Sequence, residues 1–303
     1  MNIFVTGASG LVGKRMLPAL TARGDSVVAL SRKQLPDSAN VEWLVGDPTL
    51  AGPWLDKLAE CDAVVHLAGE PILGQRWSDA FLKKVRDSRV DSTRLIAERL
   101  AQGSNVKVFV SGSAVGIYGA NPGDAVLTEE SPPGPPGDVM AQICTAWEAA
   151  AEPAKAAGIR VCHPRTGIVL DREGGALPKM ALPFKLFGGG RIGSGKQYVA
   201  WIHHADMVGL LLFALDNPKL HGPFNATGPI PVRNAEFSSE LARVLHRPNW
   251  FPAPKFVLRI VIGKAVEIAV GGQNALPRKV QELGYEFKYV NVGAALDDLF
   301  SPR

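Results

Sequence analysis

Gly7, Gly10 and Gly13 recur every third residue in the stretch Thr-Gly-Ala-Ser-Gly-Leu-Val-Gly at 6–13. Each does something a side chain would prevent. Gly7 allows a tight exit from a strand, Gly10 lets backbone approach a pyrophosphate, and Gly13 lets a helix pack closely on that strand. The free N–H groups at the start of the helix then attract phosphate charge. The spacing alone is a weak signal, and its context strengthens it. The apolar run Ile3-Phe4-Val5 precedes it as a buried parallel strand, and Leu11, Met16, Leu17 and Leu20 follow as the apolar face of a helix. The chemistry expected is dinucleotide binding, with Gly7, Ser9, Gly10, Leu11, Val12 and Gly13 as the phosphate turn.

A second apolar run, Val27 to Leu30, ends in Ser31-Arg32-Lys33. A ribose-binding carboxylate is expected about twenty residues after such a glycine turn, and none is present. A hydroxyl followed by two cations favours a 2′-phosphate instead. The cofactor expected is therefore NADP(H), with Ser31 and Arg32 at its phosphate.

Further apolar runs read as strands at Val41 to Val45, Ala63 to Leu67, around Phe109-Val110, and Arg160 to His163, with helical patterns at Asp79 to Leu100 and Val139 to Ala157. Strands alternating with helices of that length imply an α/β fold with a doubly wound parallel sheet of the Rossmann kind. Ligands in such sheets sit beyond the carboxyl ends of the strands. Those ends carry Asp47, Leu67-Ala68-Gly69, Ser111 and Arg165-Thr166, all expected to contact the cofactor. Ser131 to Gly137 and Phe187 to Gly195, dense in Pro or Gly, read as loops over the same crevice. From Arg233 the patterns are mostly helical: Asn234 to Leu245, Lys255 to Val270 and Val292 to Leu299. The division expected is an NADP-binding domain over 1–165, completed by parts of 196–228. A substrate lobe and smaller, mostly helical C-terminal region then occupy 166–303.

The formal net charge of the 303 residues is +4. Although the isoelectric point is near 9.0, the basic residues are scattered, which argues against a nucleic-acid partner. Cys61, Cys144 and Cys162 are far apart, with no pair at metal-ligand spacing, and suit a reducing cytoplasm. Met1 leads straight into the first strand, so no secretory leader is expected. Arg259, Lys264 and Glu267 interrupt the apolar segment 256–270, which reads as an amphipathic helix and not a membrane span. The partners expected are a small-molecule substrate and a second copy of the chain, with no nucleic acid and no membrane.

The glycine turn, Asp47, His-Leu-Ala-Gly at 66–69 and Ser-Gly-Ser-Ala at 111–114 resemble the extended short-chain dehydrogenase/reductases, a group that includes nucleotide-sugar epimerases and dehydratases. Tyr118-Gly119 and Trp201-Ile202-His203 with Asp206 fit the same pattern. More closely, the chain resembles an atypical "epimerase family protein" branch. The matching stretches are Leu-Ala-Gly-Glu (67–70), Arg-Trp (76–77), Asp-Ser-Arg (87–89), Cys-x-x-Trp-Glu (144–148), Gly-Ser-Gly-Lys-Gln (193–197) and Gly-Gln-Asn-Ala-Leu-Pro (272–277). The resemblance spans essentially the full length and implies an NADP-binding fold.

One departure bears on chemistry. The superfamily's Tyr and Lys stand four apart on a helix, the lysine lowering the tyrosine's pKa for proton transfer. Aligned on Trp147-Glu148, those positions hold Met140 and Cys144, and no Tyr-x-x-x-Lys occurs in the chain. Neither side chain reproduces the pair. By resemblance Ser113 is the substrate-orienting serine, and Glu70 and Tyr118 are the first candidates for the missing proton donor. Lys84, Ser88 and Arg89 fall broadly on one side of a helix. In this branch such a face looks towards the cofactor, so Lys84, Arg89 and Glu70 join the cofactor contacts. Arg165 and Arg191 suit an anionic group on a ligand, Trp77 stacks on a ring or seals the lobe, and His66, His203 and Asp206 read as structural. Three functions stay open: an NADP(H)-dependent oxidoreductase on a small polar metabolite, an epimerase-like enzyme with a substituted acid/base, and a non-catalytic NADP(H)-binding regulator or scaffold.

Overall fold

The computed structural model describes residues 1–73, 75–120, 123–253 and 271–301. Seven strands form its parallel sheet: β1 (Asn2–Thr6), β2 (Ser26–Ser31), β3 (Val41–Val45), β4 (Ala63–His66), β5 (Val108–Ser111), β6 (Arg160–Thr166) and β7 (Gly222–Ala226). Their spatial order is β7-β6-β5-β4-β1-β2-β3, and a two-residue strand, Ser113–Ala114, adds to β6. The central strands are continuous apolar runs because both faces are covered. On one face Ile3, Val5 and Val65 pack with Met16 and Leu20 of α1 (Leu11–Ala22) and with Leu210 and Leu211 of α7 (His204–Asp216). On the other, Phe4, Val64 and Phe109 pack with Leu58 of α2 (Trp54–Glu60), Ile96 and Leu100 of α3 (Asp79–Ala101) and Ala154 of α5 (Glu152–Ala156).

Strand order reverses between β1 and β4, which pair with Thr6 opposite His66. Neighbouring chain segments therefore leave the sheet in opposite directions there, opening a crevice at the carboxyl edge.

The helix expected over Val139 to Ala157 is two, α4 (Val139–Ala149) and α5. Pro153 stands in the first turn of α5, where a missing N–H costs nothing, whereas inside a continuous helix it would leave a carbonyl unpaired. Beyond the sheet, Leu177 and Phe184 of α6 (Leu177–Lys185), Phe237 and Leu241 of α8 (Asn234–Leu245) and Leu296 of α10 (Val292–Phe300) bury Trp201. A short helix, α9 (Arg278–Glu282), packs Val280 into the core under the sheet. The C-terminal part is thus partly helical, and the expected helix at 255–270 lies outside the described residues. Among the described residues no helix is long and apolar enough to cross a membrane.

Candidate functional site

The crevice at the switch point holds a cleft of about 770 Å³. Its wall combines Gly7, Ser9 and Gly10 after β1, Ser31 and Arg32 after β2, Asp47 and Thr49 after β3, Leu67 to Glu70 after β4, and Lys84 and Ser88 of α3. The glycine turn has the geometry that its spacing implies. Gly7 has φ +70°, and a Cβ there would lie 2.7 Å from the Leu67 carbonyl carbon. A Cβ on Gly13 would sit 2.4 Å from the Gly7 oxygen, whereas one on Gly10 meets only that oxygen, at 3.0 Å. Gly7 and Gly13 are therefore fixed by packing. Gly10 is open towards the cleft. Helix α1 has no side-chain cap and no acidic residue in its first turn, so its leading N–H groups remain for an anion. Leu11 and Val12 open that helix, and Gly13 is buried beneath it.

At the far end, Ser31 Oγ accepts from the Lys33 N–H at 3.1 Å, shaping the turn that carries the exposed Arg32. Asp47 accepts from the Thr49 N–H and hydroxyl at 2.9 and 2.7 Å. Burial raises the Asp47 carboxyl pKa, but those bonds and the nearby Arg32 charge outweigh it and hold the carboxyl below its usual range. An anion at Arg32 thus has a cation and a hydroxyl beside it. Gly46, Pro48, Thr49 and Leu50, which are not among the expected contacts, share this wall. The readable signal was Asp-Pro-Thr, whose first carboxylate turns the chain by accepting the N–H two residues on.

The loop after β4 hangs on a buried hydrogen-bond chain. The Ala68 N–H donates to Thr6 Oγ1 at 3.3 Å, and Thr6 Oγ1 lies 2.6 Å from His66 Nδ1. His66 Nε2 lies 2.9 Å from Ser92 Oγ, which donates to the Ser88 carbonyl at 2.7 Å. Ser88 Oγ accepts the Glu70 N–H at 3.0 Å. Because Ser92 spends its proton on that carbonyl, His66 donates from Nε2, and in the neutral ring Nδ1 accepts from the Thr6 hydroxyl. Burial and the Arg89 charge push its pKa down to about 3. The Glu70 carboxylate is bridged by Lys84 Nζ at 3.1 Å.

Ser113, Tyr118 and Arg165 lie outside the cleft wall, in a buried network beside it. The Ser113 hydroxyl donates to Glu148 Oε1 at 2.6 Å, and Arg165 grips both Glu148 oxygens at 2.9 and 3.0 Å. Burial pushes the Glu148 carboxyl up, and Arg165 outweighs it and holds the group below its usual value. Arg165 Nη1 also donates to the Tyr118 hydroxyl at 3.0 Å, which lies 2.7 Å from Asn225 Oδ1. Two expectations are corrected here. Arg165 is 6% exposed and spends its donors on Glu148, Tyr118 and the Glu129 carbonyl, so it is a structural clamp and not a cofactor contact. Tyr118 is 3% exposed, its hydroxyl is fully engaged and burial raises its pKa, which unsuits it to proton transfer. Thr166 donates to the Pro164 carbonyl, and Ser111 is fully buried. Neither reaches the cleft wall.

Met140 packs with Trp77, Phe81 and Ile143, which seals the lobe with the Trp77 ring. Cys144 is 1% exposed, and burial together with Glu148 pushes its thiol up to about 12. His203 Nδ1 caps α7 by accepting the Ala205 N–H, while Asp206 accepts the Lys288 and Tyr289 N–H groups and so fastens the C-terminal segment. Arg191 is exposed, outside the cleft wall, with its carbonyl bonded to the Ala253 N–H. Among the described residues, no group of three or more His, Cys, Asp or Glu could hold a metal ion.

Residues 3–226 match the model of the NAD dependent epimerase/dehydratase family, and residues 253–299 match a domain of unknown function, DUF1731. An epimerase family protein of Mycobacterium leprae, ML0860, is 38% identical over 97% of this chain and 94% of its own length. The YfhF epimerase family protein of Bacillus subtilis is 35% identical over 100% of this chain and 99% of its own. The crystal structure of the human epimerase family protein SDR39U1 (isoform 2) with NADPH superimposes with a TM-score of 0.87 at 35% identity, covering 99% of both chains. With a glycine turn, a switch-point cleft and relatives matched end to end, the chain belongs to the NAD-dependent epimerase/dehydratase family.

Proposed function

We propose that this protein is an NADP(H)-dependent oxidoreductase acting on a small polar metabolite. The observation that carries the reading is the Arg32 and Ser31 pair at the end of β2, which lines the same cleft as the uncapped start of α1. The residues present fit the dinucleotide: Gly10 leaves room for a pyrophosphate at the helix N-terminus, and Arg32 supplies the cation for a 2′-phosphate. The NADPH in the human relative's structure supports the same choice. When bound, the dinucleotide would supply hydride exchange with a substrate carbon. Leu67 to Glu70 would line its nicotinamide end, while Arg165 and Glu148 fix Ser113. Ser113 is 3% exposed and stands beside the cleft wall, and with its proton directed at Glu148 its remaining lone pairs suit a substrate hydroxyl as donor. The NADP-binding unit in this reading is 1–165 completed by α7 and β7 within 196–228, with the rest of 166–303 as substrate lobe, and three buried thiols suit a reducing cytoplasm.

A second reading, a non-catalytic NADP(H)-binding regulator, is favoured by Met140 and Cys144 at the Tyr and Lys positions. The test is oxidation of bound NADPH on addition of a metabolite pool. The oxidoreductase reading expects oxidation that survives Cys144→Ala, because a thiol titrating at about 12 stays protonated near neutrality. Ser113→Ala should slow it severely. Tight NADPH binding with no oxidation by any fraction supports the regulator, and loss confined to Cys144→Ala contradicts both assignments.

A further inference from the structure

Helix α6 closes on a phenylalanine where such an ending ordinarily takes glycine. The Gly188 N–H donates to the Pro183 carbonyl and the Phe187 N–H to the Phe184 carbonyl, both at 2.9 Å. That paired closure puts its residue in left-handed backbone, the position glycine usually fills. Phe187 holds it at φ +61°, a conformation costly for a bulky side chain. The core gains nothing in return, since the residue is 57% exposed. A residue serving the fold alone would be glycine here, so the ring is displayed for something outside the fold.

The ring belongs to an apolar stripe. Leu182 and Leu186 stand one turn apart along α6 and its C-cap, and Trp250 and Phe251 join them from the segment after α8, all more than half exposed. The Trp250 Nε1–H donates to the Phe187 carbonyl at 3.4 Å, and the Phe251 N–H to the Gly189 carbonyl at 3.2 Å. The stripe starts at the cleft margin. Lys179, one turn before Leu182, donates to the carbonyl of the exposed Leu73, two residues beyond Pro71 of the cleft wall. Its borders are cationic. Lys179, Lys185, Arg191 and Arg247 flank it, and the Arg247 guanidinium carbon lies 4.6 Å from the centroid of the Phe187 ring. No Asp or Glu occurs between Glu173 and Asp206, or between Glu240 and Glu267.

We propose that this stripe holds the part of the substrate that lies beyond the cleft, and that the substrate carries an apolar chain and an anionic group. This rests on the oxidoreductase reading, which puts the polar, reacting end in the cleft, and adds the class of the rest of the molecule. The chain leaves water against the leucines and rings, and the anion meets the flanking cations. A second copy of the protein on this face would set those cations against their like. Contact with the cleft margin at Leu73 suits a ligand that must reach both places.

The experiment is calorimetric titration of wild type, Phe187→Gly and the double variant Lys185→Gln/Arg191→Gln with decyl phosphate below its micelle concentration. Phe187→Gly relieves the left-handed strain, so it is expected to melt no lower than wild type and to keep its NADPH affinity. Its affinity for decyl phosphate is expected to fall about ten- to a hundredfold, the worth of an aromatic ring withdrawn from water. The double variant is expected to lose about tenfold. Butyl phosphate, which lacks the long chain, is expected to bind wild type at least about tenfold more weakly than decyl phosphate. Wild-type decyl phosphate affinity in Phe187→Gly, or equal binding of the two phosphates, overturns the proposal and leaves the oxidoreductase reading standing. Flotation with phosphatidylglycerol vesicles but no binding of free decyl phosphate overturns it in favour of a lipid surface. Self-association in sedimentation that Phe187→Gly abolishes, again without decyl phosphate binding, overturns it in favour of an interface between copies. Failure of wild type to bind NADPH overturns the oxidoreductase reading and the substrate role of the stripe together.

Discussion

At the scale of residues, the three turn glycines separate cleanly by what surrounds them. A side chain on Gly13 would collide with Gly7 and one on Gly7 with the Leu67-Ala68 backbone, and Gly7 also needs positive φ. Substitution at either is a folding defect. Gly10 has extended backbone, and its direction of growth is the cleft. Gly10→Val is therefore expected to fold with a melting temperature close to wild type and to lose detectable NADPH binding by fluorescence titration; unchanged affinity would place the nucleotide elsewhere. Of the positions expected at a cofactor, Ser9, Ser31, Arg32, Asp47 and Lys84 line the cleft. Residue identity misled for Arg165 and Tyr118, because an arginine at a strand end looks the same in sequence whether it meets a ligand or a partly buried glutamate 17 residues earlier. Removing one partner of such a buried pair costs about 3–5 kcal/mol, so Arg165 is held by stability.

At the scale of elements, β1, β4 and α3 are tied by Thr6, His66 and Ser92, and the tie also aims the Ala68 amide. The pattern predicted strand β4 but not this wiring, since a histidine in an apolar run does not announce its partners on two other elements. The wiring has a pH signature. The folded pKa of His66 is about 3, below the unfolded value of about 6.5. The unfolded chain therefore binds the extra proton first. The contribution of neutral His66 is complete above about pH 6.5 and is lost progressively as pH falls towards 3, by up to about 1.4 kcal/mol per pH unit. His66→Gln is expected to be less stable than wild type near pH 7 in urea unfolding, yet to lose less between about pH 6.5 and 4. Parallel losses in the two proteins would mean that His66 is not buried neutral. The division of Val139 to Ala157 at Pro153 was also legible in principle, because a proline in mid-helix marks a boundary.

At the scale of the whole molecule, strand–helix alternation was enough to specify a parallel sheet, and the position of the glycine turn was enough to place its crevice. What the alternation left out was the lobe's route: strands Ile168–Leu170 and Trp201–His203 pair in parallel, and Asn274–Ala275 returns to pair with Val126–Leu127. Two- and three-residue strands carry too little periodicity to register in sequence. The strand order brings the ends of β1, β2, β3 and β4 to one cleft, so a single ligand can span from Arg32 to Glu70. The choice between NADP(H) and NAD(H) thus turns on the far end of that span, and paired calorimetric titrations with NADPH and NADH measure it directly. NADPH is expected to bind at least about tenfold more tightly, near 1.4 kcal/mol, with the preference erased or reversed in Arg32→Asp. Equal affinity of the wild-type protein for both dinucleotides would contradict it.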